Sequence, residues 1–267
     1  MFYKKIPLPF SFSFQWIIRI ILFVYFIIIL SHISYADEIA YNFDIPTTKR
    51  GYFLIDETTG IPKFTKGKAI IRKSDQYSTN TSFSSTDTAF FVIDPWDNMP
   101  SDFLNKYFGK ITNQYILPLI RKANHYNFKT FIFTNSCKNL SYSCSIPKSF
   151  NDLLNSKNIK LFFWQEIPSS LDLANNLRQM GIKKIIYTGF ASNCCILFRS
   201  AGMIDMQKQG FQIYFVPKAS AAVETTETWV TGEVHKFTST VIAQNLGSLI
   251  EYKDIFQKLN SISSCTP

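Results

Sequence analysis

The chain has 267 residues, 46% hydrophobic and 16% aromatic, with a formal net charge of +9. That apolar content is ample for a sizeable core. The lysines are scattered between the predicted strands and helices with no basic block, which argues against a nucleic-acid partner and for a solvated basic surface.

The chain opens with Lys4 and Lys5, and Arg19 is followed by the unbroken apolar run Ile20 to Leu30, 11 residues long. A run of that length suits the core of a signal peptide and falls short of the ~20 residues that span a bilayer. Ser34-Tyr35-Ala36 places small residues at a cleavage site before Asp37. Residues 1–36 are therefore read as a signal peptide cleaved after Ala36, and the folded part as exported, periplasmic or secreted. The other reading is an uncleaved anchor starting at Trp16, and only then is the membrane a partner. Removing the leader leaves 231 of the 267 residues, for which one domain is the simpler expectation.

Residues 37–88 are read as an extended arm or hairpin and a linker. Gly51 to Ile55 and Lys68 to Arg72 are the predicted strands around a Gly60-Ile61-Pro62 turn, and the polar stretch Ser78 to Thr86 is the linker. Residues 89–267 form the main domain. Short apolar runs alternate there with segments of helical period: Ala89 to Ile93, a helix over 103–126 with a kink at Pro118, Thr130 to Thr134, and Ile159 to Trp164. A helix opening at Ser169-Ser170 and closing at Gly181 follows, then Ile185 to Thr188, a helix over 195–209, Ile213 to Val216, a helix over 229–245, and Leu249 to Tyr252. Apolar strands separated by helices predict an α/β fold: a doubly wound, mostly parallel six-stranded sheet with helices on both faces, plus the N-terminal strand or hairpin extension. In the strand order 3-2-1-4-5-6 the carboxyl ends of the first and fourth strands meet, and ligands bind there. Asp94 ends the first strand and Gly189 the fourth.

Tyr187 to Ile196 reads as a strand, a small-residue turn and a helix whose first turn holds Cys195. A thiol at a helix N-terminus is expected to have a lowered pKa, and the N–H groups there can hold an oxyanion. Asp94 would lie close enough to exchange a proton with it. Other readings of the same residues are that Cys194 and Cys195 are small buried hydrophobes or form a vicinal disulfide, and that Asp94 caps the next helix. Five cysteines leave at least one unpaired in an oxidising compartment, and Cys137 and Cys144, flanking a short polar loop, are the expected disulfide.

Gly189-Phe190-Ala191-Ser192-Asn193-Cys194-Cys195-Ile196 resembles the Gly-Val-Ala-Thr-Asp-x-Cys-Val signature of isochorismatase-like cysteine hydrolases. Phe91-Val92-Ile93-Asp94 resembles that family's first strand with its catalytic Asp, and Lys208 to Ala222 a later passage; the likeness runs from about Ala89 to Ile255. It implies Cys195 as nucleophile and Asp94 as base. It also implies a cis peptide between Phe190 and Ala191 that shapes an oxyanion site with Ser192, a small-molecule substrate and a homo-oligomer, and no cofactor is expected. Relatives open amides, carbamoyl groups and vinyl ethers, and fold likeness does not choose among them; the retained cysteine favours an amide-like C–N bond.

The sequence departs from that pattern in two places. The family's catalytic Lys stands at the carboxyl end of the third strand, where this chain has Trp164, Gln165 and Glu166; Lys160, the nearest lysine, stands at that strand's beginning. Either Lys160 serves through a realigned loop, or Gln165 or Glu166 substitutes, or activity is reduced or lost and the chain is a binding or scaffold protein. The Asp-x-His metal motif of nicotinamidase branches is replaced by Asn135-Ser136-Cys137, so no metal is expected. Trp96 joins Trp164, Gln165 and Glu166 as a candidate pocket residue. His125 and His235 are expected to be solvated or capping.

Overall fold

The computed structural model describes residues 40–51, 64–65, 68–69, 76–96, 99, 101–136, 146–167 and 169–262. The leader, the Cys137–Cys144 pair and Cys265 lie outside them, as does most of the arm's predicted Gly51 to Ile55 strand and its turn.

Ten strands are described: β1 (Asn42–Arg50), β2 (Phe64–Thr65), β3 (Lys68–Ala69), β4 (Gln76–Ser84), β5 (Thr88–Ile93), β6 (Lys129–Thr134), β7 (Ile159–Phe163), β8 (Lys184–Phe190), β9 (Gln212–Ala221) and β10 (Ser248–Ile250). All but the separate β2–β3 pair form one sheet in the order β4-β1-β10-β9-β8-β5-β6-β7. The six strands from β5 onward are mutually parallel, and in chain order they stand third, second, first, fourth, fifth, sixth. β5 is buried along its whole length and β8 is buried after its first residue, as strands covered on both faces must be.

The sheet has eight strands where six were expected, because two segments of the stretch read as an arm and linker, β1 and β4, join its edge. β4 pairs antiparallel with β1 over nine residues, and β1 pairs with β10. β1 alternates exposed and buried residues, burying Phe43, Ile45 and Thr47. Among the described side chains of β4, Phe83 is the one large buried residue, and the hydroxyl of Thr47 reaches Thr81 at 2.8 Å. A polar run with β-branched threonines therefore makes a passable edge strand.

The helices are α1 (Asp102–Ile111), α2 (Leu117–His125), α3 (Ser170–Gln179), α4 (Cys195–Phe198), α5 (Met203–Lys208), α6 (Glu233–Asn245) and α7 (Tyr252–Ile262). Between α1 and α2 the chain widens into a π-turn, Thr112–Ile116, with the Leu117 N–H bonded to the Thr112 carbonyl. Pro118 has no N–H to give, and the wide turn absorbs its place without a break. The helix expected over 195–209 is two pieces: Arg199 is extended (φ −70°, ψ 163°), and a Cβ on Gly202 would fall 2.8 Å from the Leu197 carbonyl oxygen. α6 starts at Glu233 instead of near Trp229, and α7 extends the chain beyond the last predicted element.

Candidate active site

β5 and β8 run side by side with Ile93 opposite Gly189. A Cβ on Gly189 would lie 2.0 Å from the Ile93 carbonyl oxygen, and its φ is +105°, so only glycine allows this approach. The residue just after β5 is Asp94, at φ 43°, its N–H bonded to the Phe133 carbonyl at 2.7 Å. That turn aims the Asp94 side chain across the carboxyl ends of the central strands. Asp94 does not cap α1; the Ser101 hydroxyl does.

On the other side, the Phe190–Ala191 peptide is cis. The N–H groups of Cys194 and Ile196 both bond to the Ala191 carbonyl, at 3.0 and 3.1 Å. Among the described residues the N–H groups of Ala191 and Cys195 meet no carbonyl acceptor in this turn. Both cysteines are free thiols, Cys194 exposed and Cys195 buried. The Asn193 amide locks the turn to the loop after β9, donating to the Val223 carbonyl and accepting from the Val223 N–H, both at 3.0 Å.

Asp94 is fully buried. Its Oδ1 accepts the indole N–H of Trp164 at 2.7 Å. Its Oδ2 has no well-directed hydrogen bond among the described residues, and the Cys195 thiol is the weak donor that faces this carboxylate. Burial raises the Asp94 pKa from 3.8 to about 6, against the opposing pull of Trp164, Cys195 and Arg199. Burial, with the Asp94 charge second, pushes the Cys195 thiol up to about 12. The lowered thiol pKa expected from the sequence is thus reversed. α4 has only four residues, too short to develop a helix dipole that could offset desolvation beside an anion. Burial thus favours the neutral form of both groups, and the Asp94 charge further disfavours a thiolate beside it.

Trp164 follows the carboxyl end of β7, two strands away from β5. Its ring stacks on Phe133 at 5.2 Å and 20°, bridging the end of β6 to reach Asp94. Lys160 is the second residue of β7, exposed, and opposite Phe131 in mid-β6. It is therefore on the wrong part of the strand to meet Asp94. Gln165 and Glu166 are exposed; Gln165 Oε1 accepts the Ser136 N–H at 3.2 Å. Of the candidates at that strand end, Trp164 is the one that touches Asp94.

Phe190 points into the core, packed on Phe108 at 4.6 Å and Trp96 at 6.1 Å. Trp96 is buried with it, and its indole N–H has no partner among the described residues. His235, read from sequence as solvated or capping, is instead a cross-brace. Its Nε2 donates to the Pro217 carbonyl at 3.0 Å, so Nδ1 accepts from the buried Ser192 hydroxyl at 2.9 Å. Burial lowers the His235 pKa, which keeps that neutral tautomer. Glu224 accepts the N–H groups of Val234 and His235 and so caps α6. Two features escaped the sequence reading: the Ser192–His235 brace and Arg199, whose guanidinium carbon lies 5.3 Å from the Trp164 ring centroid. Among the described residues no three His, Cys, Asp or Glu side chains gather as a metal site.

No family model and no curated protein sequence matches the chain. Solved structures do match it. An isochorismatase-like hydrolase from Alkaliphilus metalliredigens superposes with a TM-score of 0.50 at 12% identity, covering 64% of this chain and 98% of its own. A nicotinamidase/pyrazinamidase from Bacillus subtilis does so with a TM-score of 0.50 at 14% identity, covering 62% of this chain and all of its own (100%). At such identities the likeness is one of fold: the main part of the chain has the isochorismatase-like hydrolase fold.

Proposed function

We propose that the protein is an exported cysteine hydrolase that cleaves an amide-like C–N bond in a small molecule. The observation that carries this is the buried Asp94 carboxylate beside the buried Cys195 thiol at the carboxyl ends of β5 and β8. Asp94 takes the thiol proton as Cys195 Sγ attacks the carbonyl carbon, and the oxyanion is held by the N–H groups of Ala191 and Cys195. The C–N bond then breaks, Asp94 passes the proton to the leaving nitrogen, and water, deprotonated by Asp94, hydrolyses the thioester to acid and free thiol. Burial and the Asp94 charge disfavour a preformed thiolate, so the proton leaves Cys195 for the Asp94 carboxylate only as attack proceeds.

Release of ammonia or amine from a panel of carboxamides and carbamoyl compounds tests this. Activity should fall by about 10³-fold or more in Cys195→Ala and Asp94→Asn. If wild type and both variants are equally inactive across the panel and Cys195 resists alkylation, the competing reading, a binding protein that kept the fold, takes over. The specific observation favouring that rival is the indole of Trp164 standing where the resemblance calls for a lysine. Export is part of the proposal, and an N-terminus at Asp37 on the mature protein would support it. So is self-assembly into a homo-oligomer.

A further inference from the structure

A buried carboxylate beside a thiol, with a further negative charge developing on a carbonyl oxygen, is an anionic centre that calls for a nearby cation. Lys160 is misplaced to supply it. Arg199 is well placed, only four residues beyond Cys195, with its N–H bonded to the Cys195 carbonyl at 3.3 Å. The break between α4 and α5 turns the chain extended at this residue. The guanidinium lies over the Trp164 ring, 5.3 Å from its centroid, and the same indole gives its N–H to Asp94. The side chain is exposed, and among the described residues it forms no ion pair.

We infer that Arg199 is the cation of this site, and that the substrate it selects carries a carboxylate near the scissile carbonyl. The inference rests on the hydrolase reading above. A guanidinium held over the face of an indole can keep N–H donors free, and their fork matches the two oxygens of a carboxylate. A cation seated over Trp164 is near enough to favour the charged forms of both Asp94 and Cys195, and it does so. This placement also explains why an aromatic residue stands at the end of β7: the indole orients Asp94 through its N–H edge and Arg199 through its face.

Alkylation of Cys195 by a neutral and an anionic reagent tests the inference without knowing the substrate. The full chain is labelled with iodoacetamide or iodoacetate at pH 7.5, and rates are read residue by residue by mass spectrometry relative to free glutathione. The iodoacetate-to-iodoacetamide ratio at Cys195 should fall about five-fold in Arg199→Gln and be largely restored in Arg199→Lys. On the wild-type chain alone, millimolar propionate should slow iodoacetamide labelling of Cys195 while propionamide should not. A ratio unchanged in Arg199→Gln, or equal effects of propionate and propionamide, overturns the role of Arg199 and leaves the hydrolase reading standing. A Cys195 inert to both reagents in the wild type overturns the hydrolase reading and this inference with it.

Discussion

Trp164 donates its indole N–H to Asp94 Oδ1 at 2.7 Å, joining the loop after β7 to the loop after β5 across the end of β6. This bond lowers the Asp94 pKa against the larger effect of burial. Trp164→Phe keeps the ring stack on Phe133 and deletes the donor. Asp94 should then titrate above about 6, and the acid limb of the pH–activity profile should move to higher pH. Denaturant unfolding at pH 7.5 should show a loss of about 1–3 kcal/mol, because a buried acceptor is left unsatisfied.

Asp94 is held ionised at a cost in stability. Its folded pKa, about 6, lies above its ordinary 3.8. The protonated form is thus favoured by folding, and stability is lost as pH rises from about 3.8 through 6. Asp94→Asn removes that loss while keeping an acceptor for Trp164. The variant should be inactive and more stable than wild type at pH 7.5 by up to about 3 kcal/mol, with the gain vanishing near pH 3.5. Paired thermal unfolding curves at the two pH values check the sign.

Alkylation of Cys195 should follow Asp94 and not an ordinary thiol titration. With the thiol pushed up to about 12 and the carboxylate at about 6, the carboxylate is the proton acceptor throughout the neutral range. The iodoacetamide rate at Cys195 should rise through about pH 6 and then level, and in Asp94→Asn the levelling should disappear. A wild-type profile that instead rises steadily through pH 8 to 9 would place Asp94 outside the proton path.

Gly189 is required for the meeting of β5 and β8. Any side chain there must adopt φ +105° and push its Cβ against the Ile93 carbonyl. Gly189→Ala should destabilise the protein by about 3 kcal/mol and reduce activity in the molecules that remain folded, since Asp94 follows Ile93 directly. Activity per folded molecule, with the folded fraction from circular dichroism, separates the two effects.

His235 should be neutral at pH 6.5 with its proton on Nε2, because Nε2 faces the Pro217 carbonyl and Nδ1 the Ser192 hydroxyl. Its pKa is depressed by burial, so its contribution to stability is present above about pH 6.5 and is lost as pH falls below it. Nitrogen chemical shifts of the labelled imidazole across pH 5–7 report tautomer and charge directly. A doubly protonated ring at pH 6.5 would contradict the brace.

Much of the main domain was legible in the sequence. Strands such as Ala89 to Ile93 and Ile185 to Thr188 are apolar on both faces, which only a sheet covered on two sides tolerates. Ser169 and Gly181 mark the ends of α3 because capping and left-handed termination are local chemistry: Ser169 accepts the Asp172 N–H at 3.0 Å, and Gly181 has φ +78°. From these the parallel order, and the meeting of residue 94 with the turn after Gly189, follow by topology. β4 was not legible, since its threonines and serines are held by pairing with β1 and carry little apolar signal of their own.

The sequence by itself determined the class of fold and that a carboxylate and a cysteine would share the end of its central strands. Only the tertiary structure decided their chemistry. Trp164 and Asp94 are 70 residues apart, and nothing local fixes the direction of an indole; packing on Phe133 does. The helix-terminus argument for an acidic thiol was local and gave the wrong sign, because desolvation and the neighbouring Asp94 charge depend on what surrounds Cys195 in space. Arg199 became a partner of the site because the helix breaks beside it and an aromatic face from another strand lies beneath. Such side-chain encounters are set by long-range packing, which residue periodicity does not encode.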